Sequence, residues 1–227
     1  MRRYLLIALP LALIVAVLAV APASAHRPYF EDEDIAAAKP WQIDDPTIST
    51  VVYATLQSAA DVDYFAFDGR QGERILLEIT IPQIEGQENF APMMALLGPG
   101  LGSAALPARV ERPASPAGSL LIEPPPGPAE TFFEPFSRTS YWERQSQRVT
   151  LPADGRYVVA VWHPAGETGR YGFVIGDKER PGGDLAFMSK LRSYWTPVQP
   201  ASATPDAVPT SILQDRWEKF WRFFGLR

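Results

Sequence analysis

Cysteine is absent from all 227 residues, which removes disulfides, zinc–thiolate centres and thiol nucleophiles together. Histidine is nearly absent, with only His26 and His163 present. Two imidazoles leave little scope for histidine-dependent nucleophilic catalysis, and there is no Gly-x-Ser-x-Gly elbow. Carboxylates are plentiful, but no spacing singles out a glycosidase-like pair. Basic residues are in deficit, 21 Lys and Arg against 26 Asp and Glu. Leaving out Arg2 and Arg3, the balance is 19 against 26, a side-chain net of −7. Nucleic acid is therefore not an expected partner, because its binding draws on clustered cations. Beyond residue 25 no apolar run is long enough to cross a bilayer.

What is present begins with a leader. Arg2 and Arg3 form a basic start, Leu5 to Val20 is apolar apart from Pro10, and Ala23-Ser24-Ala25 is a small-x-small cleavage signal. Residues 1–25 read as a signal peptide, and the expected location is the periplasm, the cell surface or outside the cell. Retained uncleaved, the same run would serve as an anchor. Cleavage after Ala25 makes His26 the first residue, able to offer its amine and ring nitrogen to one metal ion.

Residues 26–47 read as an extended lead-in, carrying the acidic run Glu31-Asp32-Glu33-Asp34 and limited in helix by Pro40 and Pro46. From 48 to 180 the period is two. Phe65 and Phe67 share a face before the Asp68-Gly69 turn, and Ile75, Leu77, Ile79 and Ile81 alternate with polar residues. Tyr157, Val159 and Val161, then Tyr171, Phe173 and Ile175, continue the pattern. Strands with short turns and no core-building helix predict an all-β fold, an antiparallel β-sandwich.

Residues 98–140 break this rhythm. Gly100, Gly102, Pro113, Pro116 and the Pro124–Pro128 stretch exclude central strands, although Leu120-Leu121-Ile122 fits a short one. Phe132, Phe133, Phe136 and, just beyond, Trp142 make an aromatic cluster, predicting a long insertion ordered by its aromatics and available for contact. Their alternative role is to cap the open end of the sandwich. Residues 181–209 read as a Pro/Ala-rich linker. Residues 210–227 predict an amphipathic helix, opened by the capping box Ser211-Ile212-Leu213-Gln214 and striped by Leu213, Trp217, Phe220, Trp221 and Phe224. That stripe has three possible destinations: its own sandwich, a protein or envelope-surface partner, or a membrane interface.

Three motifs in order carry a family likeness. Asp61-Val62-Asp63-Tyr64-Phe65-Ala66-Phe67, Leu151-Pro152-Ala153-Asp154-Gly155-Arg156-Tyr157 and Gly169-Arg170-Tyr171-Gly172-Phe173-Val174-Ile175 resemble the bacterial pre-peptidase C-terminal domain over roughly residues 48 to 177. The resemblance implies a jelly-roll-like β-sandwich in a secreted protein, accompanying enzymes and binding ligands, surfaces or calcium without catalysis. The expected function is an exported, non-catalytic binding module of the envelope or extracellular space.

Two metals compete as ligands. Asp61 and Asp63, with the Glu31–Asp34 run, offer hard oxygens suited to calcium; alternatively the two aspartates shape their turn by side-chain hydrogen bonds. His26 and His163 define the other expectation, a copper-binding histidine brace, since amine and imidazole suit copper. In that reading His163, at a strand end, supplies the third nitrogen; its plain alternative is a hydrogen bond to a backbone carbonyl.

Overall fold

Ile75, Leu77, Ile79 and Ile81 point inward from one strand, each at most 1% exposed, while Arg74, Leu76 and Glu78 turn away. The same two-residue period builds the rest of the core. The structure, a computed structural model, describes residues 26–113, 118–134 and 137–196. Among these lie eleven strands: β1 (Arg27–Phe30), β2 (Trp41–Gln42), β3 (Thr50–Leu56), β4 (Asp63–Gly69), β5 (Arg74–Pro82), β6 (Met93–Gly98), β7 (Gly118–Ile122), β8 (Glu130–Glu134), β9 (Thr139–Thr150), β10 (Gly155–Trp162) and β11 (Gly169–Ile175). They form a six-stranded sheet, β1-β3-β11-β5-β9-β8, facing a five-stranded sheet, β2-β4-β10-β6-β7. The chain is a β-sandwich, as its alternation predicted.

Neither sheet is wholly antiparallel. β1 pairs with β3, and β2 with β4, in parallel. Both short strands come from residues 26–47, so the predicted lead-in is instead the edge of each sheet. Its residues cap rows of backbone groups that an exposed edge would leave unpaired.

The interior is set by Val52, Phe65, Phe67, Met94, Leu96, Tyr157, Val159, Val161, Tyr171, Phe173 and Ile175, all 1% exposed or less. Phe65 and Phe173 stack across the two sheets with ring centroids 4.3 Å apart. A second layer explains why β10 is apolar on both faces: Val158, Ala160 and Trp162 point outward, yet Tyr64, Leu97, Leu106 and Val110 cover them.

The outer face of the six-stranded sheet is covered in turn by the helix α1 (Phe187–Tyr194). Phe187, Leu191 and Tyr194 pack on Phe30, Tyr53, Tyr141 and Val174. The stretch expected as linker from residue 181 therefore carries a docked helix. Eight residues are too few to be stable alone, so packing holds them. No described helix is long and apolar enough to cross a membrane.

The predicted insertion is ordered differently from expectation. β7 adds to β6, and β8 to β9, by backbone pairing. Phe132 and Phe133 remain 38% and 53% exposed, so these aromatics do not pack the segment. β9 begins inside the span read as insertion. Its Glu143, Arg144, Ser146 and Gln147 hide the strand from a hydrophobicity reading, because only Tyr141, Gln145 and Val149 are buried along it.

Candidate cation-binding site

Two segments bring the carboxylates together. Phe30 is locked in the aromatic layer, stacked on Tyr53 at 4.9 Å, and Glu31 follows it with its N–H donating to Tyr53 O at 2.9 Å. Ile35, 2% exposed, inserts into the core, and its carbonyl accepts the Tyr64 N–H at 2.8 Å. Asp34 is held between these two anchors. Asp63 opens β4 on the inward face that Phe65 and Phe67 continue, so its carboxyl is fully buried. Carboxylate oxygens of Glu31, Asp34 and Asp63 all lie within 4.8 Å of one another.

Hydrogen bonds satisfy only part of this group. Glu31 Oε2 accepts the Thr55 N–H at 2.8 Å, and Asp63 Oδ2 accepts the Tyr171 hydroxyl at 2.5 Å. Glu31 Oε1 and Asp63 Oδ1 are buried with no hydrogen-bond partner. An unsatisfied buried oxygen costs about 1–3 kcal/mol, more when charged. Burial, with the charges of Asp61 and Asp34 added, pushes the Glu31 carboxyl up to about 7. Burial, then the Glu31 charge, raises Asp63 well above the usual carboxylate range, and burial raises Asp61 as well. A pocket in which acids resist ionisation side by side is one that a cation would relieve. The oxygen-only donor set fits a hard ion, and Asp34, the exposed member of the trio, lines a neighbouring cleft of about 340 Å³.

Asp61, expected as a calcium ligand, instead accepts the Gln57 N–H at 2.5 Å and shapes the β3–β4 turn. It contributes charge beside the trio. Tyr171 is the residue that sequence reasoning missed. Its ring continues the core alternation of β11, and nothing in the periodicity signals that its hydroxyl meets Asp63.

The two histidines are not brought together. His26 precedes β1, its Nδ1 bonded to the Ser49 hydroxyl beside the start of β3. His163 ends β10 in the turn to β11, whose first residue, Gly169, pairs with Leu56 at the far end of β3. The six steps from Thr50 to Leu56 separate those ends by about 20 Å, too far for one ion. His163 is 6% exposed and stacked on Phe90 with centroids 5.1 Å apart. Its Nδ1 accepts the Glu167 N–H at 3.0 Å, and Arg109 donates to its carbonyl at 2.6 Å. The ring thus ties the turn by accepting a backbone N–H, where a bond to a backbone carbonyl was the alternative expected. Burial lowers the pKa of both imidazoles.

Of the predicted contact residues, Phe132 and Phe133 lie on β8, an edge strand, and Trp142 sits half-buried on β9 opposite Thr131. Phe136, Trp217 and Trp221, with the leader and the predicted tail helix, lie outside the described residues.

No family model matches the chain, and no curated protein does. Among solved structures it is similar to a periplasmic lysozyme inhibitor of g-type lysozyme, PliG, from Aeromonas hydrophila, at 12% identity and a TM-score of 0.34, covering 67% of this chain and 98% of that one. It is also similar to the pre-peptidase C-terminal domain of collagenase from Bacillus anthracis, at 8% identity and TM-score 0.33, covering 64% and 98%. A third is CorA of Methylomicrobium album BG8, a surface-associated copper-binding protein, at 8% identity and TM-score 0.29, covering 68% and 99%. The class this chain joins, a two-sheet β-sandwich, is defined by its own strands; likenesses this distant carry no ligand with them.

Proposed function

We propose that this chain is an exported, non-catalytic β-sandwich module whose Glu31, Asp34 and Asp63 hold a calcium ion, and which works by binding a protein or envelope partner. The observation that carries the reading is the fully buried Asp63 carboxyl, one oxygen bonded to Tyr171 and the other without a partner beside two further carboxylates. Export rests on the basic start, apolar run and cleavage signal of residues 1–25.

Calcium suits the site better than magnesium. Protein oxygens already converge there from two separate segments, whereas magnesium keeps most of its waters and demands stricter geometry. Bound calcium supplies positive charge where the carboxylates repel, joining the edge segment after β1 to the start of β4. Extracellular modules bind calcium at about 10⁻⁴–10⁻³ M, so millimolar titration is the appropriate range.

Isothermal titration of the purified full chain with calcium chloride, and separately with magnesium chloride, tests this. One equivalent of calcium is expected, accompanied by a rise in melting temperature and lost in Asp63→Asn. Absence of both heat and thermal shift at millimolar calcium sinks the reading.

A further inference from the structure

The aromatic layer on the outer face of the six-stranded sheet stops short of the sheet's edge. α1 covers Phe30, Tyr53 and Tyr141, and Trp195, just after it, meets the Tyr141 ring edge-on with centroids 5.1 Å apart. The next residue on this face, one strand outward, is Phe132. It pairs directly with Tyr141, so the two side chains lie on the same side of the sheet about 5 Å apart at Cβ. Tyr141 is 4% exposed and Phe132 38%. The layer that α1 begins is thus complete over Tyr141 and open over Phe132.

The chain leaves the described structure beside this gap. Arg170 holds the Thr196 carbonyl at 2.8 Å, and Trp195 is already seated on Tyr141. Thirty-one residues follow, 197 to 227. The first fourteen, rich in proline and alanine, reach at most about 50 Å when extended. Thr196 is tied to β11, and three strand spacings from β11 to β8 are about 15 Å. The residues after that carry Leu213, Trp217, Phe220, Trp221 and Phe224 at helical spacing, an apolar stripe that water does not favour. A short tether holds the stripe at millimolar effective concentration near the gap, ahead of any partner in dilute solution.

We propose that the C-terminal segment 211–224 docks by this stripe on Phe132 and the adjoining Trp195–Tyr141 rim, completing the layer that α1 starts. The contact is intramolecular, and it is independent of the calcium reading because the carboxylates lie elsewhere.

Hydroxyl-radical footprinting of the full chain, read residue by residue by mass spectrometry, tests the docking. Leu185, fully exposed before α1, is the internal reference. Phe132 is expected to be modified slowly in the parent chain and several-fold faster in the full-length Trp217→Ser/Trp221→Ser variant. Its protection in the parent should not change on dilution. Phe132→Ala, a surface exchange on an edge strand, is the reciprocal variant and should speed modification of Trp217 and Trp221. Equal Phe132 rates in parent and tail variant overturn the proposal. So does protection that falls on dilution, which would mean a second copy covers the patch, or protection that appears only when anionic lipid vesicles are added.

Discussion

At the scale of single residues, two side chains show how much the interior constrains its neighbours. Asp63 is fully buried, accepts the buried Tyr171 hydroxyl, and has its ionisation opposed by burial and by Glu31. Exchanging it for asparagine keeps the size and removes the charge. In chelator at about pH 8, Asp63→Asn is expected to melt at or above the temperature of the parent, and to show no upward shift when calcium is added. A variant that retains the full calcium shift would count against the site.

Tyr157 marks the opposite case, a ring that cannot yield. It is fully buried, and its hydroxyl donates to Pro99 O at 3.0 Å and Ala153 O at 2.8 Å. A Cβ at Gly98 would come within 2.1 Å of that ring. Gly98→Ala is expected to lower stability by about 1–3 kcal/mol through overpacking, as read by urea unfolding. An unchanged midpoint would show that the ring can move.

At the scale of elements, α1 is a helix made by its surroundings. It has no side-chain N-cap and only eight residues. Tyr194 fastens its end by donating its hydroxyl to Ala54 O at 2.7 Å on β3 and to Tyr171 O on β11. Tyr194→Phe is expected to cost about 1–2 kcal/mol and to speed amide exchange across 187–194 more than in the strands. Uniform exchange changes would mean that the helix does not open as a unit. The helix was not legible in a stretch flanked by Gly182-Gly183 and the proline-rich segment, because its three anchors mean little without the sheet face they cover. β1 and β2 were hidden for a related reason: four and two residues give too short a pattern, and only β3 and β4 beside them make them strands. β5, β10 and β11 were legible because each alternates, or stays apolar, for five residues or more.

At the scale of the whole molecule, the carboxylate pocket should make stability depend on both pH and calcium. Glu31, Asp61 and Asp63 have raised pKa values in the folded chain. The folded state therefore holds their protons more tightly than the unfolded state. Their contribution is fully present below the unfolded carboxyl values and is lost as pH rises through the folded ones. His26 and His163 are lowered, so they act oppositely, but only as pH falls below about 6.5, the ordinary imidazole value. Between about pH 6.5 and 8 in chelator, stability is expected to complete its fall as Glu31, with a folded value of about 7, loses its proton, and calcium should flatten or reverse the slope. Urea titrations across that range, with chelator and with millimolar calcium, check this. Stability rising with pH in chelator would contradict the pocket's electrostatics.

What the sequence determined by itself was the class of fold and the chemistry on offer. A two-residue period over Phe65, Ile75 to Ile81, Tyr157 to Val161 and Tyr171 to Ile175 requires sheets with a buried face. The lack of cysteine and the oxygen-rich run at Glu31–Asp34 with Asp61 and Asp63 limited the metals worth considering. Tertiary structure decided which of those groups meet. It placed Glu31 and Asp34 against Asp63, left Asp61 to its turn, and set His26 and His163 at opposite ends of β3. The physical reason is that period and composition are local properties. Which end of a strand a residue occupies, and what lies across from it, follows from pairing register and from which sheet each segment joins.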